Sequence, residues 1–285
     1  MPEGDTVWRT AQRLSQAFAG EALTRTELRW PSLATLDFTG AATLEVISRG
    51  KHLMHRLDSG HTIHSHLRME GQWLIADATT ARPNAQTRAF LSTSRWAGLG
   101  QRLGMLDVVR TDEEHTLVGH LGPDLLGPDW DAGRAVANLA AADTTIGAAL
   151  LDQTNLAGIG TLYAAETLFA ERLNPWTPTT DLTDTQLTHL VERAHRLLDN
   201  GRRHAVQSTT GSTRHGENTW AHGRSGRPCR RCGGTVRVAL IGPPTRERTM
   251  FYCPSCQGGL APTDDGRPQR PLGAGRKAQS LSPKL

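Results

Sequence analysis

The sequence predicts an α+β protein: an N-terminal β-sandwich with flanking helices, then an α-helical domain that carries a C-terminal four-cysteine zinc-ribbon finger. Three observations predict it. Short β-like stretches fill residues 21–118, helical periodicity takes over beyond about residue 133, and two Cys-x-x-Cys pairs close the second half. A chain of 285 residues is long enough for two domains, and 37% hydrophobic with 21% charged residues excludes disorder throughout. No apolar run approaches the ~20 residues that span a bilayer. Met1-Pro2-Glu3-Gly4-Asp5 has neither the basic start nor the apolar core of a secretory leader, so a cytoplasmic protein with no membrane partner is expected.

In chain order, Asp5 is the expected cap of a first helix, whose apolar positions Val7, Ala11, Leu14 and Phe18 recur at helical spacing until Gly20. Residues 44–47, 53–57, 61–67 and 105–109 read as strands of a sandwich or barrel, whereas no individual strand is singled out within 88–101, which matches no recognised motif. The Gly/Pro density of His120-Leu121-Gly122-Pro123-Asp124 and the residues after it marks a hinge. The expected organisation is therefore 1–119 sandwich, 120–132 hinge, 133–220 helical domain, 221–257 zinc finger and 258–285 disordered tail. Helices are expected at 146–151 and 161–170, and a long amphipathic one on Leu187, Leu190, Val191, Ala194, Leu197 and Leu198. Between the first two, Gly158 and Gly160 suit a helix N-terminus that offers free N–H groups to a phosphate, although a plain interhelical turn has the same pattern.

Charge and cysteines narrow the function. Residues 201–260 contain ten Arg, two Glu and no Lys or Asp, hence 10 − 2 = +8, while the whole chain carries +4, so the remainder sums to −4. Clustered arginine is the footprint of a phosphate-binding face. Cys229, Cys232, Cys253 and Cys256 form two pairs twenty residues apart, with an alternating stretch between them that reads as a hairpin. In a reducing compartment this pattern points to one tetrahedral zinc. A closed site of four thiolates leaves no open position, so the metal is expected to be structural and the chemistry to lie elsewhere. His52, His55, His61, His64 and His66 invite a second metal site, but core or polar-face histidines are the expected outcome.

The N-terminus offers that chemistry. Removal of Met1 would leave Pro2 with a secondary amine of pKa about 7.7–8.0, partly unprotonated at neutral pH. Attack on a sugar C1′ would displace a base and form an iminium, with Glu3 placed for general acid/base work. The opening Met1-Pro2-Glu3-Gly4-Asp5-Thr6, Arg49-Gly50-Lys51-His52-Leu53, His64-Ser65-His66-Leu67-Arg68-Met69-Glu70-Gly71, the 120–124 hinge, Leu151-Asp152-Gln153 through Gly158-Ile159-Gly160-Thr161, and Gly223-Arg224 through the four cysteines all occur in one order. This order resembles the formamidopyrimidine-DNA glycosylase/endonuclease VIII family over residues 1 to about 257. The opening is most similar to the endonuclease VIII branch.

The resemblance implies a β-sandwich beside a helix-two-turns-helix domain with its zinc finger, and damaged double-stranded DNA as the partner of a monomer. It implies a base-excision-repair glycosylase with abasic-site (AP) lyase activity, removing oxidised pyrimidines and cleaving by β,δ-elimination. Pro2 would be the Schiff-base nucleophile, Glu3 the general acid/base, Lys51 a proton donor in β-elimination, and Arg248 a phosphate ligand and donor for δ-elimination. Met69 would fill the void left by the extruded base, and Gly158, Gly160 and Thr161 would meet DNA. The family has Asn where this chain has Thr161. Two alternatives stay open: an oxidised-purine or cross-linked-lesion enzyme of the same family, and a non-catalytic zinc-ribbon protein that binds damaged DNA.

Overall fold

The computed structural model describes residues 2–269. Helix α1 (Gly4–Phe18) buries Val7, Ala11, Leu14 and Phe18, the stripe its spacing predicts. Strands β1 (Arg25–Leu28), β2 (Thr43–Arg49), β3 (His52–Leu57), β4 (His61–His66), β5 (Gln72–Asp77), β6 (Thr87–Ser92), β7 (Trp96–Gln101) and β8 (Met105–Arg110) follow. They form two four-stranded antiparallel sheets, ordered β1-β6-β7-β5 and β2-β3-β4-β8. Val46, Leu53, Leu57 and Ile63 of one sheet, Trp73, Ala89 and Leu91 of the other, and the α1 stripe share one core.

Strands β6 and β7 occupy the stretch that sequence left unread. Both are buried along almost their whole length, because Phe90, Ala97 and Leu99 pack against Ala81 on the outer face. A strand covered on both sides loses the alternation by which strands are read. Thr93 closes their turn, its hydroxyl accepting the N–H groups of Arg95 and Trp96.

After α2 (His115–Val118), the expected hinge is seated rather than free: Leu121 through Leu125 are buried. The second core gathers α3 (Ala132–Ala141), α4 (Ile146–Leu151), α5 (Thr161–Ala170), α6 (Asp184–Gly201) and the ribbon β9 (Arg237–Ile241) and β10 (Arg248–Tyr252). Thr183 and Gln186 form a capping box at the start of α6. Residues 258–269, expected to be disordered, fold back on the ribbon. Ala261 is buried, Asp264 pairs with Arg237 and with the Tyr252 hydroxyl, and the Gln269 side-chain amide bonds both N–H and C=O of Val238. The rest of that expected tail, 270–285, lies outside the described residues.

The joint between the two cores is polar and tight. Glu3, not Asp5, is the N-cap residue of α1, and its side chain leaves that helix to cap α5. Its carboxylate accepts the N–H groups of Gly160 (2.8 Å), Leu162 (2.7 Å) and Tyr163 (3.3 Å). Asp5 turns to the same side, accepting the Tyr163 hydroxyl (3.0 Å) and the Gln207 amide (2.8 Å). The Gly4 N–H donates to Gly158 O at 2.8 Å. A Cβ on Gly160 would lie 2.6 Å from the Glu3 carboxyl carbon. Substituting Gly160→Ala is therefore expected to destabilise the protein by roughly 1–3 kcal/mol in denaturant or thermal melts, by driving the carboxylate off α5.

Candidate active site

Four segments distant in sequence meet at that joint. The Gly50-Lys51 turn links β2 to β3, and Gly50 takes a φ of +57° that a side chain would strain. The Gly50 N–H donates to Asp124 Oδ2 (2.7 Å), while Asp124 Oδ1 accepts from Leu126 (3.0 Å). The buried hinge carboxylate thus fixes the turn that carries Lys51. Lys51 Nζ donates to Ile159 O at 2.5 Å, beside the Glu3 carboxylate. Burial pulls the Lys51 ammonium down to about 8; Glu3 opposes this and Arg248 adds to it. Burial pushes Glu3 up from the ordinary carboxyl range against Lys51 and the three N–H donors.

Next to this pair opens a cleft of about 440 Å³ lined by Met69, Thr161, His222, Arg248 and Phe251, among others. Arg248 begins β10 and is exposed, and Met69 is 63% exposed, large for an apolar side chain. Thr161 is the first residue of α5, and its hydroxyl has no hydrogen-bond partner among the described residues. The structure therefore brings together Glu3, Lys51, Met69, Thr161 and Arg248, with Pro2 adjacent to Glu3 in the chain. The glycines serve another purpose than expected. The Gly158 N–H donates to Gln153 Oε1 (3.1 Å) and the Gly160 N–H to Glu3, so neither is free for a phosphate. Gly158 instead takes a φ of +99° that a side chain would strain, and Gly160 leaves room for the Glu3 carboxylate.

Sequence reasoning missed three contributors. Gln153 holds the 158–159 backbone through both amide atoms. Glu166, buried in α5, accepts the N–H groups of Trp220, Ala221 and His222, each at 2.8 Å, and so sets the turn that presents His222 to the cleft. Burial lowers His222 to about 4, leaving a neutral imidazole edge-on to Phe251 at 4.9 Å. A buried carboxylate that caps a remote turn has no periodic signature, so neither Glu166 nor His222 stood out.

The four cysteine sulfurs lie within 4.8 Å of one another, with Cys229–Cys256 at 3.9 Å and Cys232–Cys253 at 3.5 Å. A tetrahedron with Zn–S bonds of about 2.3 Å has edges of about 3.8 Å, so the thiolate set fits such an ion. Among the described residues no other cluster of three or more potential ligands meets, and His64 and His66 fall outside any such group.

Residues 1–111 match the formamidopyrimidine-DNA glycosylase N-terminal domain, and residues 121–214 match the formamidopyrimidine-DNA glycosylase H2TH domain. A probable endonuclease 8 2 of Streptomyces coelicolor is 48% identical over 271 residues, covering 94% of this chain and 98% of that protein. A DNA-(apurinic or apyrimidinic site) lyase of Mycolicibacterium smegmatis is 43% identical, covering 90% and 99%. The structure of Lactococcus lactis formamidopyrimidine-DNA glycosylase bound to abasic-site DNA shares the fold, with a TM-score of 0.76 at 22% identity over 90% of this chain and 99% of that one. With both halves matched in order and nearly half its residues shared with a relative spanned almost end to end, the chain belongs to the formamidopyrimidine-DNA glycosylase/endonuclease VIII family of DNA-repair enzymes.

Proposed function

We propose that this chain excises oxidised pyrimidines from damaged double-stranded DNA as a monomer and cleaves the resulting abasic strand by β,δ-elimination. The observation that carries the reading is the meeting of Glu3, Lys51 and Arg248 at the N-terminus of α5, next to a cleft lined by Arg248 and Thr161, with Pro2 adjoining Glu3 in the chain. Relatives 48% and 42% identical that bear the endonuclease 8 2 name support the pyrimidine branch over a formamidopyrimidine-DNA glycosylase 33% identical.

In this mechanism Met1 is removed and the Pro2 amine attacks C1′ of an extruded nucleotide. The C1′–N bond to the base breaks and the base leaves with a proton supplied through Glu3; the Pro2 N–H proton then passes through Glu3 to O4′ as the C1′–O4′ bond opens, which leaves the amine as an iminium on C1′. The iminium acidifies C2′–H; loss of that proton expels the 3′ phosphate, with Lys51 as the proton donor at the departing oxygen. A second elimination expels the 5′ phosphate against Arg248, whose guanidinium can meet it bidentately. Met69, exposed at the rim, enters the gap left in the stack. The thiolates of Cys229, Cys232, Cys253 and Cys256 would hold a structural zinc, and through that ion would fix β10, and so Arg248, in place.

Borohydride trapping on a duplex with one abasic site tests the reading. The expected result is a covalent adduct, absent in Pro2→Gly, with base excision reduced about 10²-fold or more in Glu3→Gln. No adduct from protein whose mature N-terminus is shown by mass to be Pro2 would overturn the lyase and favour a damage-binding scaffold.

Two further outcomes follow. With Lys51 titrating near 8, the ammonium is present below that pH and lost above it. Affinity for duplex carrying an uncleavable abasic analogue should fall between pH 7 and 9, and Lys51→Arg should flatten that fall. The unpartnered Thr161 hydroxyl reaches less far than an amide would, so Thr161→Asn is expected to tighten DNA binding. Unchanged affinity for the same duplex would show that Thr161 does not touch the strand.

A further inference from the structure

Behind the Lys51 turn lies a histidine chain that the mechanism does not use. His64, fully buried on β4, bonds through Nδ1 to Asp107 Oδ2 of β8 at 3.0 Å. Its Nε2 meets His52 Nδ1 of β3 at 2.8 Å, with the two rings within 20° of parallel. An ionised carboxylate only accepts, so His64 Nδ1 carries a hydrogen. In a neutral imidazole the other nitrogen then accepts, and His52 Nδ1 must be the donor. His52 Nε2 is left with a lone pair and no hydrogen-bond partner among the described residues.

The groups facing His52 are almost all cationic or basic. His64 and His66 come from β4, the His66 ring standing edge-on at 5.0 Å; Arg68 comes from the loop after β4 and His120 from the segment after α2. Lys51 precedes it in the same turn and acts on His66. Asp107 answers through His64, and Glu114 acts on His64 from behind. Arg68 is exposed and has no ion-pair partner among the described residues, so the cluster is short of anions on its open side.

His66 and His52 respond differently to an arriving anion. His66 Nδ1 accepts the Arg68 N–H at 2.9 Å, and a proton placed there would break that bond. His52 gains a proton at Nε2 with both bonds of its chain intact, and its Nδ1–H becomes a stronger donor toward His64. In the free protein burial and the neighbouring cations hold His52 neutral, lowered to about 3. A phosphate settling among Lys51, Arg68 and His120 reverses the sign of that local field.

Resting on the proposed DNA-binding cleft, we infer that His52 is a proton-coupled phosphate seat. When a DNA phosphate binds beside Lys51, one proton from solvent adds to His52 Nε2, and the imidazolium is held through His64 by Asp107 while its new N–H faces the phosphate. Because the bound state holds the extra proton, affinity gains as pH falls.

Calorimetric titration at pH 6.5, where Lys51 and the Pro2 amine are already protonated, reads this directly. The probe is a duplex with one tetrahydrofuran abasic analogue, in two buffers of different ionisation enthalpy. The expected result is uptake of up to one proton per duplex, lost in both His52→Gln and Asp107→Asn together with the gain in affinity between pH 8 and pH 6.5. Heats that do not depend on buffer, or full uptake in His52→Gln, would overturn the seat; full uptake in Asp107→Asn would overturn the relay. A parent that fails to bind the duplex at either pH takes down the DNA-cleft reading together with this one, whereas binding without proton uptake sinks this inference alone.

Discussion

The placement of the Glu3 carboxylate on the N-terminus of α5 is the constraint from which the rest of the site follows. One short side chain, two residues from the start of the chain, satisfies three N–H groups that α5 would otherwise leave unpaired. The positive end of the helix dipole favours the anion there. The contact works only at close range, which is why Gly4 and Gly160 have no side chains where the two halves meet. These two glycines and one glutamate therefore form a single device, and removing any member would disturb the others.

Helix α5 carries that constraint along its length. Its first residue, Thr161, lines the cleft; one turn on, Glu166 fixes the backbone of residues 220–222; near its end, Phe169 O accepts from Arg231, whose guanidinium also lies 4.1 Å over the Phe169 ring. The ribbon is thus docked on the same rod that Glu3 caps. Arg248 and Lys51, nearly two hundred residues apart, owe their proximity to it. Asp124 does for the Lys51 turn what Glu166 does for the His222 turn: a buried carboxylate spends its lone pairs on backbone N–H groups of a neighbouring loop.

Legibility in the sequence tracked periodicity and covalent spacing. The α1 stripe, strands β2, β3, β4 and β8, the helices α4 to α6 and the cysteine pairs are visible because burial on one face, or a shared ligand sphere, repeats at fixed intervals. Strands β6 and β7, buried on both faces, and the short β1 gave no alternation to read. Order of motifs along the chain brought Lys51, Met69 and Arg248 to notice, yet could not say that Asp5 reaches Tyr163 instead of capping its own helix, or that the Gly158 and Gly160 amides are already engaged. Those facts belong to tertiary approach, which leaves residue types but no interval in a sequence.

The Gln269 side chain has a consequence for solubility. A two-stranded ribbon presents open hydrogen-bonding edges, and an open edge is a template on which another chain can add a strand. By giving its amide N–H and C=O to the backbone of Val238, Gln269 imitates one residue of a third strand without supplying the rest. The outer edge of β9 is capped near its start by a group that cannot itself be extended, so this end of the ribbon is shielded from sheet-to-sheet association.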